Sequence, residues 1–333
     1  MTALAFALAF WYPFAPIFLS MHFTMKTNFQ LMMRRKRWSL SDEFSWRAAR
    51  RHPRVPDGEY ACDAFDQHSV GWCGCCYIVA VVQAIEDRGH IARPRRARHK
   101  VDMQTVVDHF NTLVAARDGW NACHGGYPEH VVECLASGVC PLLTTRCRRW
   151  LGHPARTHRT PLNTAPFRVT GVRRVPTSKV MHEIHARGPV VLEIAAEALK
   201  ALDVEGVVTD ATLRESNHAV AVVGWTRRRG ERCWIVRNSW GTHRVPKAIP
   251  DDVHCVDEDG NRCDNVRWEY WSGDPELPGF CYIPMSHPMF HHADTTPWIV
   301  PSVYLSSPPS HDTVGTIETT TDRTSSRAKD TER

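Results

Sequence analysis

Residues 67–77 read Gln-His-Ser-Val-Gly-Trp-Cys-Gly-Cys-Cys-Tyr, and the apolar run Ile78-Val79-Ala80-Val81-Val82 follows at once. Apolar residues at 78, 79, 81, 82 and 85 have the spacing of a buried helix, and Gly89 stops it. Cys76 therefore stands in the first turn. The partial positive charge of a helix N-terminus favours thiolate over thiol, so Cys76 sits where a cysteine becomes a nucleophile. Its rivals are Cys73 and Cys75, and a Cys75–Cys76 vicinal disulfide would silence it.

Far downstream lie Asn217-His218-Ala219-Val220 and Trp234-Ile235-Val236-Arg237-Asn238-Ser239-Trp240-Gly241. Cys76, His218 and Asn238 supply, in chain order, a thiol, a base and an amide that can orient the base. His218 lies 142 residues after Cys76, and Asn238 lies 20 residues after His218.

The Cys-Gly-x-Cys-Tyr, Asn-His-x-Val and Asn-Ser-Trp-Gly stretches at this spacing resemble the papain-like cysteine peptidases over roughly residues 40–283. Within that family the chain is most similar to the cathepsin X group. That group also places three extra residues, beginning with His, between the oxyanion Gln and the next Cys. Here the insert begins His68-Ser69-Val70. Leu40 to Arg47 resembles the family's mature start.

The resemblance implies an α+β two-lobed papain-like fold. It has a helical left lobe, a β-barrel-like right lobe and the active-site cleft between them. Cys76 then heads a helix on one wall, and His218 and Asn238 sit at strand ends on the other. The implied roles follow residue by residue. Cys76 is the nucleophile, His218 its base and later the acid, and Asn238 holds the imidazole plane, with Trp240 shielding that bond. Gln67 donates to the oxyanion beside the Cys76 backbone N–H. His68 binds the α-carboxylate of a substrate's last residue as a cationic donor, which restricts cleavage to the C-terminal end. Gly125 and Gly126, in Cys123-His124-Gly125-Gly126, form a wall against which an extended substrate pairs as an added strand. Cys73 and Cys123 form a disulfide closing about 50 residues, stabilising by roughly 2–4 kcal/mol. No metal and no organic cofactor is implied. The partners implied are peptide or protein substrates and cystatin-like inhibitors.

The chain also departs from the family. Where the family continues at once with Trp-Gly after Gly241, residues 242–278 intervene here, including the acidic stretch between Cys255 and Cys263. His109 stands where the family has a disulfide cysteine.

Composition sets the remaining bounds. The chain has 333 residues, 43% of them hydrophobic, which is enough for one large domain or two small ones. A net charge of +5 with 23% charged residues does not argue for nucleic acid. The basic runs Arg93–Lys100 and Arg227–Arg229 read as solvated surface. Twelve cysteines suit an oxidising compartment, so the expected location is the secretory or endolysosomal lumen or the extracellular space.

Residues 1–21 are apolar, with no charged side chain before Lys26, and read as a signal peptide or membrane anchor. Residues 22–39 form a short linker or pro-segment with the basic cluster Arg34-Arg35-Lys36-Arg37. The peptidase domain is expected over 40–290, with 291–333 a Ser/Thr-rich tail that is mostly disordered from about Ser302.

Helices are expected over Cys76–Arg88, Val101–Ala116, Pro128–Ala136 and Ser178–Ala186. Strands are expected over Val190–Ile194, His218–Trp225, Cys233–Asn238 and Phe280–Ile283. Three functions remain open at this point. They are a cysteine carboxypeptidase acting through a thioester, a papain-like endopeptidase or dipeptidyl peptidase, and an inactive papain fold serving as a binding protein.

Overall fold

The computed structural model describes residues 40–114, 121–142, 149–155, 165–212, 215–242, 274, 276–290 and 298–305. The expected signal or anchor segment, the linker, the Cys255–Cys263 loop with most of the insertion, and the chain beyond 305 lie outside the described residues. Among the described residues no helix is long and apolar enough to cross a membrane.

In chain order the elements are β1 (Phe44–Ser45), α1 (Cys76–Ala92), α2 (Met103–Val114), α3 (Pro128–Ser137), β2 (Phe167–Arg174), α4 (Thr177–Arg187), β3 (Val190–Ile194), β4 (His218–Arg228), β5 (Glu231–Arg237), β6 (Phe280–Pro284) and β7 (Trp298–Leu305). A helical half followed by a β half is what the periodicities predict, and β3 has the predicted bounds. The other predicted elements differ by a few residues at their ends.

The strands form one antiparallel sheet in the order β2-β7-β3-β4-β5-β6, with β1 added to β4. The expected barrel-like lobe is thus an open path among the described residues, with β2 and β6 at its ends.

Two hydrophobic clusters give the two lobes. One is built on α1, α2 and α3; the other on Trp46, α4 and the faces of β3 to β6. Alternation along the strands divides them. Val190, Leu192 and Ile194 join the β cluster, whereas Val191 between them joins the helical one. Val220 and Val222 likewise face one core, and Ala219 the other. A sheet covered on both faces explains why these strands read as continuous apolar runs. Helix α1 is buried almost all round, including Gln83, Glu86, Asp87 and Arg88.

Two expectations are corrected here. The domain does not end at 290, because Trp298, Ile299 and Val300 are fully buried and β7 pairs with both β2 and β3. The Ser/Thr/Pro character after Ser302 concealed a strand whose partners are remote in sequence. Second, Arg98, in a run read as solvated surface, turns inward onto Asp87 at 2.7 Å and Glu86 at 3.6 Å.

Candidate active site

Helix α1 begins without a side-chain cap at Cys75. Its first intrahelical donors, the N–H groups of Ile78 and Val79, both bond the Cys75 carbonyl. The amides of Cys76 and Tyr77 are left at the helix mouth without an intrahelical acceptor. The Tyr77 N–H and that of Ala219, across the cleft on β4, both favour an ionised Cys76.

The Cys76 thiol meets the imidazole of His218, the first residue of β4. Burial alone pushes the thiol up. The charge of His218 and the hydrogen bond to it outweigh burial, and the thiol ends below its ordinary value. The converse holds for His218. Burial pulls it down, yet the Cys76 charge, the hydrogen bonds to Cys76 and Asn238, and the nearby Glu197 carboxylate hold it up. Both shifts run in the direction that favours a thiolate–imidazolium pair.

His218 Nε2 lies 2.8 Å from Asn238 Oδ1. An amide oxygen only accepts, so Nε2 carries a proton there. The indole of Trp240 lies over the same ring, with centroids 4.8 Å apart. Asn238 follows the last residue of β5, and its N–H donates to the Gly279 carbonyl.

Gln67 is buried and pinned. Its Nε2 donates to the Cys73 carbonyl at 2.7 Å, and its Oε1 accepts from Ser239 Oγ at 2.6 Å. The Gln67 carbonyl accepts from the Trp150 indole at 3.1 Å. One amide proton of Gln67 thus holds the loop, which leaves a second for the cleft. Ser239 and Trp150 were not singled out in the sequence, since their parts depend on contacts 172 and 83 residues away.

The cleft has a volume of about 740 Å³ and is lined by Gln67, His68, Cys76, Gly125, Gly126, His218 and Trp240, whereas Asn238 stands behind His218 and does not line it. Trp72, Tyr127, Glu193 and Lys200 line it as well, without a motif to announce them. A Cβ on Gly126 would come 2.7 Å from the Tyr77 ring, whose hydroxyl is fixed on the Ala122 carbonyl. Gly125 adopts φ +91°, which favours glycine.

The disulfide Cys73–Cys123 is present, and it ties the cysteine loop to the Gly-Gly wall. A second, Cys134–Cys140, could not be assigned from the sequence. Cys75 and Cys76 are both free thiols, so the vicinal disulfide is not formed. Cys75 faces the core, where burial, and then the charge of Cys76, push it well up. Among the described residues no cluster of metal-ligating side chains occurs.

His68 departs from expectation. Burial, and then the charge of His218, pull it down to about 4, so in the free protein it is a neutral imidazole rather than a cation.

A sequence model described as papain family cysteine protease matches residues 57–246. Cysteine proteinase 2 of Entamoeba histolytica is 28% identical over 200 residues, covering 57% of this chain and 59% of that protein. Cathepsin Z of Onchocerca volvulus is 25% identical over 202 residues, covering 55% of this chain and 62% of its own. The chain thus spans less than two thirds of the length of these relatives. Among solved structures, bromelain from Ananas comosus superposes with a TM-score of 0.53 at 18% identity, covering 79% of this chain and 99% of bromelain. At that identity the likeness speaks for the fold alone. The match to the family model spans more than half of the chain and includes Cys76, His218 and Asn238; the chain belongs to the papain family of cysteine proteases.

Proposed function

We propose that Cys76, His218, Asn238 and Gln67 hydrolyse peptide bonds through a thioester, and that His68 directs the reaction to the C-terminal residue of the substrate. The observation that carries the first part is the hydrogen-bonded Cys76–His218 pair, shifted in opposite directions, with Asn238 at 2.8 Å behind it.

The steps follow from that geometry. Cys76 Sγ attacks the scissile carbonyl carbon, and the carbonyl π pair moves onto oxygen. The oxyanion is met by the second N–H of Gln67 and the backbone N–H of Cys76. The proton on the His218 nitrogen facing the thiol passes to the leaving amine as the C–N bond breaks, giving the thioester. His218, now neutral, takes a proton from water, whose oxygen attacks the thioester. The Cys76 thiolate leaves and the pair is restored. Because the thiolate is already the counter-ion, a neutral amide at 238 is enough to orient the ring.

Gln67→Ala is expected to lower kcat by about 10²–10³-fold with little change in KM, because its N–H meets charge that develops only in the tetrahedral state. Steady-state kinetics check this. A proportional rise in KM at constant kcat would place Gln67 in ground-state binding instead.

For His68 the free-state value of about 4 sets the sign of the pH dependence. A bound α-carboxylate favours the protonated ring, so the bound state has the higher pKa. Binding of a free C-terminus then strengthens as pH falls through that higher value, and levels off below about 4. A substrate with a free C-terminus is expected to be cleaved about 10–100-fold more efficiently than its amide, and His68→Ala to remove that difference. Equal cleavage of acid and amide in the wild type would leave an endopeptidase. The neutral His68 of the free protein and the open Gly125–Gly126 wall favour that second reading.

The Cys73–Cys123 and Cys134–Cys140 disulfides support a secretory, endolysosomal or extracellular location. Peptides and proteins are the proposed partners, together with cystatin-like inhibitors that would occupy the same cleft. The E64 inhibitor named in the bromelain structure is proposed to react with Cys76 here.

A further inference from the structure

At the far end of α1 from Cys76, about 18 Å along the helix axis, a recess of about 670 Å³ opens between α1, α4, β2 and β7. Arg54, Arg88, Arg173 and Arg187 line it. Among the described residues, Glu183 is the one carboxylate paired with any of them. It bonds Arg88 at 3.0 Å and Arg173 at 2.6 Å, and Arg187 from the next turn of α4. Among the described residues Arg54 is in no ion pair, so four guanidinium groups stand against one described carboxylate, an excess of three positive charges at a single concavity.

The four arginines do not play the same part. Arg88 is buried, and it donates to the carbonyls of Pro189 and Gly188 as well as to Glu183, so it is structural. Arg54, Arg173 and Arg187 are exposed and keep donors for the recess. Two neighbouring groups are shifted mainly by burial, with these arginines adding to the shift. His185 is pulled down to about 4 by burial, then by His52, Arg54 and His182. Arg88 is pulled down to about 10 by burial, with Arg173 and Arg187 adding to the fall against Glu183.

We propose that this recess binds a phosphorylated ligand, with phosphoryl oxygens held by Arg54, Arg173 and Arg187 and its organic body against Val55, Ile91 and Pro94. One carboxylate would cancel only one of the three excess charges. A phosphate ester or a diphosphate matches them better and accepts paired N–H bonds from the guanidinium forks. A soluble organic phosphate and a lipid headgroup present the same chemistry. The proposal stands apart from the peptidase reading, because the recess shares no residue with the catalytic cleft.

The test uses the full chain with its cleft thiol blocked. Titration calorimetry with inorganic tripolyphosphate, and flotation with vesicles carrying a bisphosphorylated inositol lipid, address the two sources. Saturable binding is expected to weaken tenfold or more in Arg54→Ser/Arg187→Ser. It should be unchanged in Arg227→Ser/Arg232→Ser, which removes two arginines that flank Asp42 instead. Glu183 keeps Arg88 and Arg173 in the first variant, so its fold should hold. If its melting temperature falls sharply, Arg54→Ser alone carries the test with the same direction of change. Binding of soluble tripolyphosphate alone assigns a free phosphate ligand, and binding that extends to the vesicles assigns a headgroup. No saturable binding of either probe, undiminished binding in the Arg54 variants, or an equal loss in the control overturns the proposal.

Discussion

Cys76→Ala is expected to abolish peptide hydrolysis, lowering kcat by about 10⁴–10⁶-fold, while the melting temperature stays near that of the wild type. Sγ of Cys76 is the atom at the helix mouth that meets His218, whereas Cys75 faces the helical core and keeps its proton. Cys75→Ser therefore changes turnover little, although the two residues are adjacent and of one type. Labelling by E64 should follow Cys76 and be indifferent to Cys75. The opposite pattern, activity lost with Cys75 and kept without Cys76, would sink the assignment.

The pH profile adds a check on the pair rather than on one residue. Cys76 ionises below the ordinary thiol value of 9.0, and His218 stays protonated above the ordinary imidazole value of 6.5. The proposed mechanism needs both charges. Activity should rise with pH as the thiolate forms, on a limb below 9.0, and fall as the imidazolium loses its proton, on a limb above 6.5. Asn238→Ala removes one of the influences that hold His218 up, so its alkaline limb should move to lower pH.

The positions of Cys76 and His218 in the candidate site are legible in the sequence because local signals place them. Gly74 and Tyr77 set the register of Cys76, the apolar run starts α1 directly behind it, and Asn217-His218-Ala219-Val220 opens a strand. The remainder depends on contacts that no local pattern carries. Strand β2 reads Phe-Arg-Val-Thr-Gly-Val-Arg-Arg, and its alternation is broken by a register shift between Val169 and Gly171. Strand β7 holds one short apolar run before Pro301-Ser302, and its place between β2 and β3 is set by partners more than 100 residues away. His68 can be placed in the cleft from its insert, but not its protonation, which follows from burial and the distant His218. Asp87 and Arg237 give no sign in the sequence of being core residues, because charged residues in a helix and a strand ordinarily face water.

Asp87→Ala is expected to destabilise the protein by about 3–5 kcal/mol, lowering the melting temperature by at least about 6 °C. Asp87 lies eleven residues along α1 from Cys76, and both it and the Arg237 side chain are 0% exposed. One carboxylate oxygen accepts from Arg237 Nη1 at 2.7 Å; the other accepts from Arg98 at 2.7 Å and from the Cys62 N–H at 2.9 Å. Among the described residues, Arg237 Nε and Nη2 already have no acceptor. Truncating Asp87 strips the Arg237 guanidinium of the fully buried counter-charge it is paired with, and an unpaired buried cation costs far more than the pair contributed. Glu86 does not replace it. Burial, and then the charge of Asp87, push Glu86 up to about 7, and it points to Arg98 and the Val101 N–H. The double variant Asp87→Leu/Arg237→Met removes both charges at similar volume and should regain most of the loss. Denaturation of thiol-blocked protein, which removes self-digestion, compares the three forms. A loss below about 1 kcal/mol for Asp87→Ala would mean that water or Glu86 takes over the pairing. The pair joins the helix headed by Cys76 to β5, which ends one residue before Asn238. Activity in the surviving fraction of Asp87→Ala should therefore fall as well, through kcat more than KM, because the thiol and the amide behind its base are held on opposite sides of that contact.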